Sequence, residues 1–167
     1  MEYMFLPLKR YAEFSGRSRR MEYWMWTLFM VLLWMVFFVA IVAVAGAAFM
    51  TGGGIRSLMA MGGGILVIGA LAIIVWLALL IPSLAVGVRR LHDTERSGWW
   101  LGGLLIVDLV NGVLRGSGSG GALTTIVSLV VLVWGLVLLV FYCLDGTKGP
   151  NKYGPDPKGG VNAEVFA

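Results

Sequence analysis

Arginine clusters are the feature of this sequence best suited to chemistry. Two short polar segments hold six of them: Arg17, Arg19, Arg20, Arg89, Arg90 and Arg96. The planar guanidinium meets a phosphate through paired hydrogen bonds, and each basic residue near a membrane surface contributes about 1 kcal/mol to binding anionic lipid. The cluster therefore predicts either a site for a phosphate-bearing group or a set of internal ion pairs. The candidate internal partners are Glu22, Asp93, Asp145 and Asp156.

A catalytic interpretation has less support. His92 and Asp93 are adjacent, so on a helix their side chains point about 100° apart and do not form an obvious acid–base pair. The chain has one histidine, which argues against a zinc or di-iron site. Ser97 lacks the Gly-x-Ser-x-Gly surroundings of a hydrolase nucleophile. We instead expect Asp93 or Ser97 to cap the following helix and His92 to bond a main-chain carbonyl, with no catalytic residue, metal or cofactor.

Asp108 is the one ionisable residue inside a predicted membrane span, with Asn111 one turn further on the same face. Ionisable residues in membrane spans often serve ion or proton pathways. The alternative is that Asp108 sits near the outer mouth and contacts water, Arg115 or a neighbouring loop. The pair Asp108 and Asn111 is therefore a candidate intramembrane polar site.

Composition identifies the elements that must position these residues. The 167-residue chain is 59% hydrophobic and 13% charged, whereas soluble domains are about 45–50% apolar and about 25% charged. Uncharged runs occupy 23–55, 57–88 and 116–144, and a bilayer span needs about 20 mostly apolar residues. One cysteine excludes an internal disulfide scaffold. The sequence therefore predicts an integral membrane protein.

The distribution of basic residues predicts the topology. Eleven of the thirteen lysines and arginines lie in the leader, the middle loop and the tail, and two lie in the other loops. By the positive-inside rule the first set is cytoplasmic, which requires an even number of spans, so that 99–114 also crosses. We predict an all-α, polytopic bundle of four transmembrane helices with both termini cytoplasmic. The predicted spans are about 23–50, 63–88, 98–114 and 122–144.

The predicted membrane domain, residues 23–144, lies between a leader at 1–22 and a Gly/Pro-rich tail at 145–167. In the leader, Phe5 and Leu8 recur at helical spacing, which indicates either an interfacial helix or a segment packed on the bundle. Pro7 is expected to limit any regular helix to the residues after it. Glycines at 52–54 and 62–64 predict a flexible outer loop.

Three motifs, in order, resemble the domain-of-unknown-function 805 family of small bacterial inner-membrane proteins. They are F-x-G-R-x-x-R-x-E-Y-W from Phe14, R-R-L-H-D-x-x-R-S-G-W-W from Arg89 and D-G-x-x-G-x-N-x-Y-G-P-D-P from Asp145. The resemblance covers the chain from about Tyr11 to Lys158. It implies four membrane helices and a bacterial inner (plasma) membrane, and it implies no established activity.

These observations favour a non-enzymatic membrane module whose cytoplasmic cap binds a partner protein or anionic lipid headgroups. The alternative is a small oligomeric transporter or lipid-handling protein that recognises a phosphate group. Expected partners are anionic lipids, another copy of the chain or a membrane protein; nucleic acid is not expected, since the basic residues are sorted by loop. The candidate binding residues are Arg17, Arg20, Arg89, Arg90, His92, Asp93, Arg96, Trp99, Asn151, Tyr153 and Asp156.

Overall fold

A computed structural model describes residues 2–50, 54–118 and 121–159. The described residues form an all-helical structure of five helices. These are α1 (Glu2–Lys9), α2 (Arg20–Met50), α3 (Ile55–Asp93), α4 (Trp99–Gly116) and α5 (Ala122–Cys143). Helices therefore cover all four segments that the sequence predicts as spans.

Three of the helices, α2, α3 and α5, are long and apolar enough to cross a membrane. The most apolar stretches of α2 and α3 contain no buried residue, so much of their hydrophobic surface is exposed. A helix satisfies its backbone hydrogen bonds internally, which is the requirement for such a surface in hydrocarbon. Of the two other helices, α1 has 8 residues, and α4 has 18 residues and a length of about 27 Å.

Two predictions about local structure are wrong. Gly62, Gly63 and Gly64 do not form a loop, because α3 begins at Ile55 and runs through them. A Cβ at Gly64 would lie 2.9 Å from Cγ1 of Val44, so this glycine allows α2 and α3 to approach closely, as small residues do between membrane helices. Glycines 52 and 53 lie outside the described residues, and Gly54 precedes α3.

The leader helix also differs from expectation. Helix α1 contains Pro7 and ends at Lys9, whereas the sequence predicts regular helix only beyond the proline. It packs against α2 and α3, where the ring of Phe5 meets Phe29 edge-on at 5.5 Å between centroids. The leader is thus packed on the bundle.

The helices associate as two hairpins. Helix α2 packs along α3, and α4 packs along α5. The hairpins touch each other where α2 begins and α5 ends: the rings of Tyr23 and Tyr142 lie 4.3 Å apart, and Leu91 and Leu138 complete the buried cluster there. This end of the bundle carries the charged segments.

Candidate functional site: an arginine-tied cap

Three chain segments meet at this end of the bundle, and we call them together the cap: residues 10–19, 89–98 and 144–159. The first motif follows α1, the second spans the end of α3, and the third follows α5. Most of the predicted site residues therefore come together in space.

Asp93 is the centre of the cap. Its Oδ1 accepts a hydrogen bond of 2.9 Å from Nε of Arg17, and its Oδ2 accepts one of 2.5 Å from Nη1 of Arg90. The three side chains are 1%, 0% and 4% exposed for Arg17, Arg90 and Asp93. Two buried guanidinium groups thus share one buried carboxylate. The N–H groups of Arg17 and Arg90 that do not reach Asp93 need other hydrogen-bond acceptors.

Main-chain carbonyls of the tail provide those acceptors. Arg17 donates to the carbonyl oxygens of Thr147 at 2.5 Å and Gly149 at 2.6 Å. Arg90 donates to the carbonyl oxygens of Tyr142 and Leu144 at the end of α5. Charge-assisted hydrogen bonds of this kind are stronger than neutral ones, so the two arginines fasten the tail to the end of α3.

A second buried pair fastens the leader. Arg89 Nη2 donates to Glu22 Oε1 at 2.9 Å, and its Nε donates to Ser18 Oγ at 2.9 Å. Its Nη1 donates to the carbonyl oxygen of Glu13. The side chains of Arg89 and Glu22 are 0% and 4% exposed. Arg89 therefore ties the segment before α2 to α3, and three of the predicted arginines, Arg17, Arg89 and Arg90, are used in buried internal pairs.

The tail is held by side chains from two of the motifs. Asn151 Nδ2 donates to the carbonyl oxygen of His92 at 3.0 Å. The rings of His92 and Tyr153 stack with their centroids 3.9 Å apart. Nδ1 of His92 lies 3.2 Å from the carbonyl oxygen of Gly16, which agrees with the expectation that His92 bonds a main-chain carbonyl. These contacts join the tail to the end of α3 and to the leader.

Of the two remaining candidate acids, Asp145 pairs with an arginine as predicted and Asp156 does not. Asp156 does not pair with an arginine; its carboxylate accepts the main-chain N–H groups of Gly149 at 3.1 Å and Lys158 at 2.8 Å. The N–H of Lys158 and then that of Gly149 lower the pKa of Asp156 below its ordinary value. Asp145 forms an exposed pair with Arg20 at 2.5 Å.

Helix capping near α4 involves one of the two residues expected. Ser97 Oγ accepts the main-chain N–H of Trp99 at 3.3 Å. The carboxylate of Asp93 instead forms ion pairs with Arg17 and Arg90. Of the two alternatives expected, Ser97 is therefore the residue that bonds to the start of α4.

Arg96 and Trp99 lie at the α4 side of the cap rather than inside it. The guanidinium of Arg96 stacks over the ring of Phe141 at 3.8 Å, and its Nη1 donates to the carbonyl oxygen of Thr94 at 3.0 Å. Trp99 is 74% exposed. These two candidates remain accessible, in contrast to the buried arginines.

The intramembrane candidates lie in a separate polar groove between α4 and α5, with a volume of about 420 Å³. Asn111 is buried and donates to Ser128 Oγ at 3.2 Å, and Arg115 Nη2 donates to the same oxygen at 2.5 Å. Asp108 is exposed at the edge of this groove. Arg115 therefore shares the groove with Asp108, and Ser128 is the residue that joins the two helices there.

Several residues of the site carry no signal in the sequence. Ser18 and Thr147 contribute a hydroxyl or a carbonyl to the network, and such contacts depend on where the backbone passes. Gly146 passes so close to Asp93 that a Cβ there would overlap the carboxylate. Within the ranges that the structure describes, no group of three or more His, Cys, Asp or Glu residues could hold a metal ion.

Comparison with known proteins shows which family the chain is similar to. A family model described as "Protein of unknown function (DUF805)" matches residues 11–155. Inner membrane protein YhaI of Escherichia coli (strain K12) is 36% identical over 162 residues, which cover 97% of this chain and 100% of that protein. Inner membrane protein YhaH of the same organism is 32% identical over 158 residues, or 95% of this chain and 98% of that protein. No solved structure matches the chain.

Proposed function

This chain belongs to the DUF805 family, and from that premise we propose that it is a non-enzymatic inner-membrane module whose cytoplasmic cap binds anionic lipid headgroups. The proposal has two parts, the topology and the ligand. In the first, α2 to α5 each cross the membrane once and both termini are cytoplasmic.

The composition of the cap supports the topology. Leader and tail belong to one network through Arg17, which supports placing both on the same side of the membrane. A chain whose two ends lie on one side crosses an even number of times, so in the proposed topology α4 crosses together with the three longer helices. Eleven of the thirteen basic residues are on that side, which is the cytoplasmic side by the positive-inside rule.

Reporter fusions test this topology. Alkaline phosphatase, which is active only outside the cytoplasm, is fused after Ala167 and, separately, after Gly118. We expect an inactive fusion at Ala167 and an active one at Gly118. Activity at Ala167 would contradict a cytoplasmic C-terminus, and inactivity at Gly118 would show that α4 does not cross.

The choice of ligand rests on one observation: three of the predicted arginines are buried in ion pairs, whereas lysines stay exposed at this end of the bundle. Arg17, Arg89 and Arg90 are buried. Lys148 and Lys152 in the cap, and Lys9 at the end of α1 directly before it, are exposed and take part in no salt bridge within the described chain. Basic side chains within a Debye length of an anionic membrane surface are attracted to it by about 1 kcal/mol each.

Spin-labelled lipids test the ligand. The protein is reconstituted with phosphatidylcholine and traces of spin-labelled phosphatidylglycerol or phosphatidylcholine, and the motionally restricted fraction is measured. We expect a several-fold preference for phosphatidylglycerol that falls in 0.5 M salt, because exposed charges are screened, and that falls in the Lys9→Gln/Lys148→Gln/Lys152→Gln variant.

The matched control is Arg56→Gln, which removes an exposed cation at the start of α3, at the opposite end of the bundle. We expect it to leave the lipid preference unchanged. An unchanged preference in the triple lysine variant would contradict lipid binding by the cap. A partner protein would then be the better interpretation if gentle extraction also recovered a stoichiometric companion.

A further inference from the structure

A groove on the surface of α4 and α5 begins at the edge of the cap, at Ser97, and runs away from it along the two helices. Ser97, Trp99, Trp100 and Trp134 line it, and its volume is about 410 Å³. Tryptophan side chains concentrate at the headgroup level of membranes, where one end of the ring is apolar and the other is wet. The groove therefore begins at the membrane interface on the cap side.

The groove continues into the apolar part of the bundle. A second depression, of about 440 Å³, shares Trp134 with the first and is otherwise lined by Ile126, Leu129, Val130 and Val133. From Trp134 to Ile126 the distance along α5 is about 12 Å at 1.5 Å per residue. The lining thus changes from a hydroxyl and indole rings at the cap end to aliphatic side chains alone.

Arg96 does not line the groove, but it directly precedes the lining residue Ser97 and so brings a cation next to the polar end. Its guanidinium stacks on Phe141, whose ring meets Trp100 edge-on at 5.3 Å, and Trp100 in turn meets Trp134 at 6.1 Å. One of its nitrogen atoms donates to Thr94. No salt bridge in the described part of the chain involves Arg96, in contrast to Arg17, Arg89 and Arg90. Its other donors remain available to an anion.

The groove has a cation next to one end, aromatic rings beside it and aliphatic side chains at the other end. This order matches a molecule with an anionic headgroup and a long hydrocarbon chain. We propose that this groove seats a single anionic glycerophospholipid, with its phosphate on Arg96 and one acyl chain along Trp134 and Val130. The inference rests on the proposed function, because the topology proposed there decides in which leaflet the lipid lies. The two proposals differ in stoichiometry, since the exposed lysines attract many lipids weakly and the groove holds one lipid.

Native mass spectrometry counts such a lipid directly. The protein is reconstituted in vesicles of equal parts phosphatidylglycerol and phosphatidylethanolamine, extracted gently and subjected to stepwise collisional activation. We expect one phosphatidylglycerol per chain to survive after all other lipids have left. In Arg96→Gln the retained fraction should fall at least fivefold, with partial recovery in Arg96→Lys, because lysine keeps the charge and loses the paired geometry.

A second variant addresses the acyl chain without changing charge. Val130→Trp places a large side chain in the aliphatic part of the groove, at a position that is exposed in the protein. We expect it to lose the retained lipid as Arg96→Gln does. Arg20→Gln is the matched control, since Arg20 is an exposed arginine at the same end of the bundle that already pairs with Asp145. Circular dichroism and gel filtration confirm that each variant is folded.

The outcomes separate this inference from the proposed function. Undiminished retention in both Arg96→Gln and Val130→Trp overturns the lipid seat, even if the lysine variant still loses its general lipid preference. Phosphatidylethanolamine has the same phosphodiester but a neutralising ammonium group, so its retention in equal amount would overturn the preference for a lipid with net negative charge. A second copy of the chain in place of the lipid would assign the groove to self-association. If the triple lysine variant keeps one bound lipid, the seat is independent of the exposed lysines, as we expect.

Discussion

The hydroxyl of Tyr11 donates a 2.5 Å hydrogen bond to the main-chain carbonyl oxygen of Ala78. Ala78 lies four residues before Pro82 in α3, and proline has no N–H with which to close that turn of the helix. An unpaired carbonyl is costly in a membrane, so the leader segment supplies the donor that the helix lacks. This contact explains how α3 continues through Pro82 and why the leader packs against the bundle.

Replacing Tyr11 with phenylalanine removes this hydroxyl and little else. We expect Tyr11→Phe to lower the free energy of unfolding by about 1 kcal/mol, the usual net contribution of one hydrogen bond. In a Pro82→Ala background the alanine N–H can pair with Ala78, so the same change should cost close to nothing. Unfolding by sodium dodecyl sulfate in mixed micelles measures this double-mutant cycle. Equal costs in both backgrounds would show that the hydroxyl does not compensate for the proline.

Asp93 should be the residue whose loss the cap tolerates least. Asp93→Asn leaves Arg17 and Arg90 buried without their carboxylate, and breaking a buried pair in this way costs about 3–5 kcal/mol. Asp145→Asn is the control, because its pairs with Arg20 and Lys158 are exposed and such pairs contribute about 0–1 kcal/mol. The same micelle titration compares them, and similar losses would contradict a central role for Asp93.

Gly146 tests how closely the tail approaches that carboxylate. A Cβ at this position would overlap Oδ2 of Asp93, which two arginines hold in place. We expect Gly146→Ala to expose the tail to trypsin at Lys148 and Lys152 at a rate at least tenfold above that of the unmodified protein. Gly135→Ala is the control, since a Cβ there meets no atom within 4 Å. Equal cleavage rates in the two variants would mean that the tail is not docked as described.

The sequence predicts the helices well because hydrophobic length is a property of the chain itself. The uncharged runs identify α2, α3 and α5, whereas the interpretation of the glycines at 62–64 as a loop placed the start of the second span too late, since α3 begins at Ile55. The sequence does not show that Gly64 is a helix-packing residue, because its contact with Val44 exists only after α2 and α3 have packed.

The cap is predictable in its charges and not in its connections. Candidate acids such as Glu22 and Asp93 can be read from the sequence, and each does pair with an arginine. Which arginine meets which acid depends on the path of the backbone. Arg17 and Arg90 also bind main-chain carbonyls, which every residue possesses and which therefore leave no trace in the amino-acid types.

The carboxylate of Asp156 makes the docking of the tail depend on pH. It accepts the N–H groups of Lys158 and Gly149, and these bonds lower its pKa in the folded protein. Because the unfolded tail then binds protons more readily, the stabilisation is present above the unfolded pKa of about 3.9 and is lost as pH falls through the lower, folded pKa. We therefore expect amide exchange at Gly149, corrected for its intrinsic rate, to be slow and constant from about pH 5 to 7 and to accelerate below about pH 4.

Asp156→Asn separates this acid from the others. Its amide oxygen keeps one acceptor and loses the charge, so exchange at Gly149 should be faster than in the unmodified protein at pH 7. The difference should shrink as the pH falls, because protonation removes the same charge from the aspartate. Asp145→Asn, which removes an exposed acid from the same tail, should leave exchange at Gly149 unchanged. A difference between Asp156→Asn and the unmodified protein that stays constant down to pH 3 would assign the effect to shape rather than to charge.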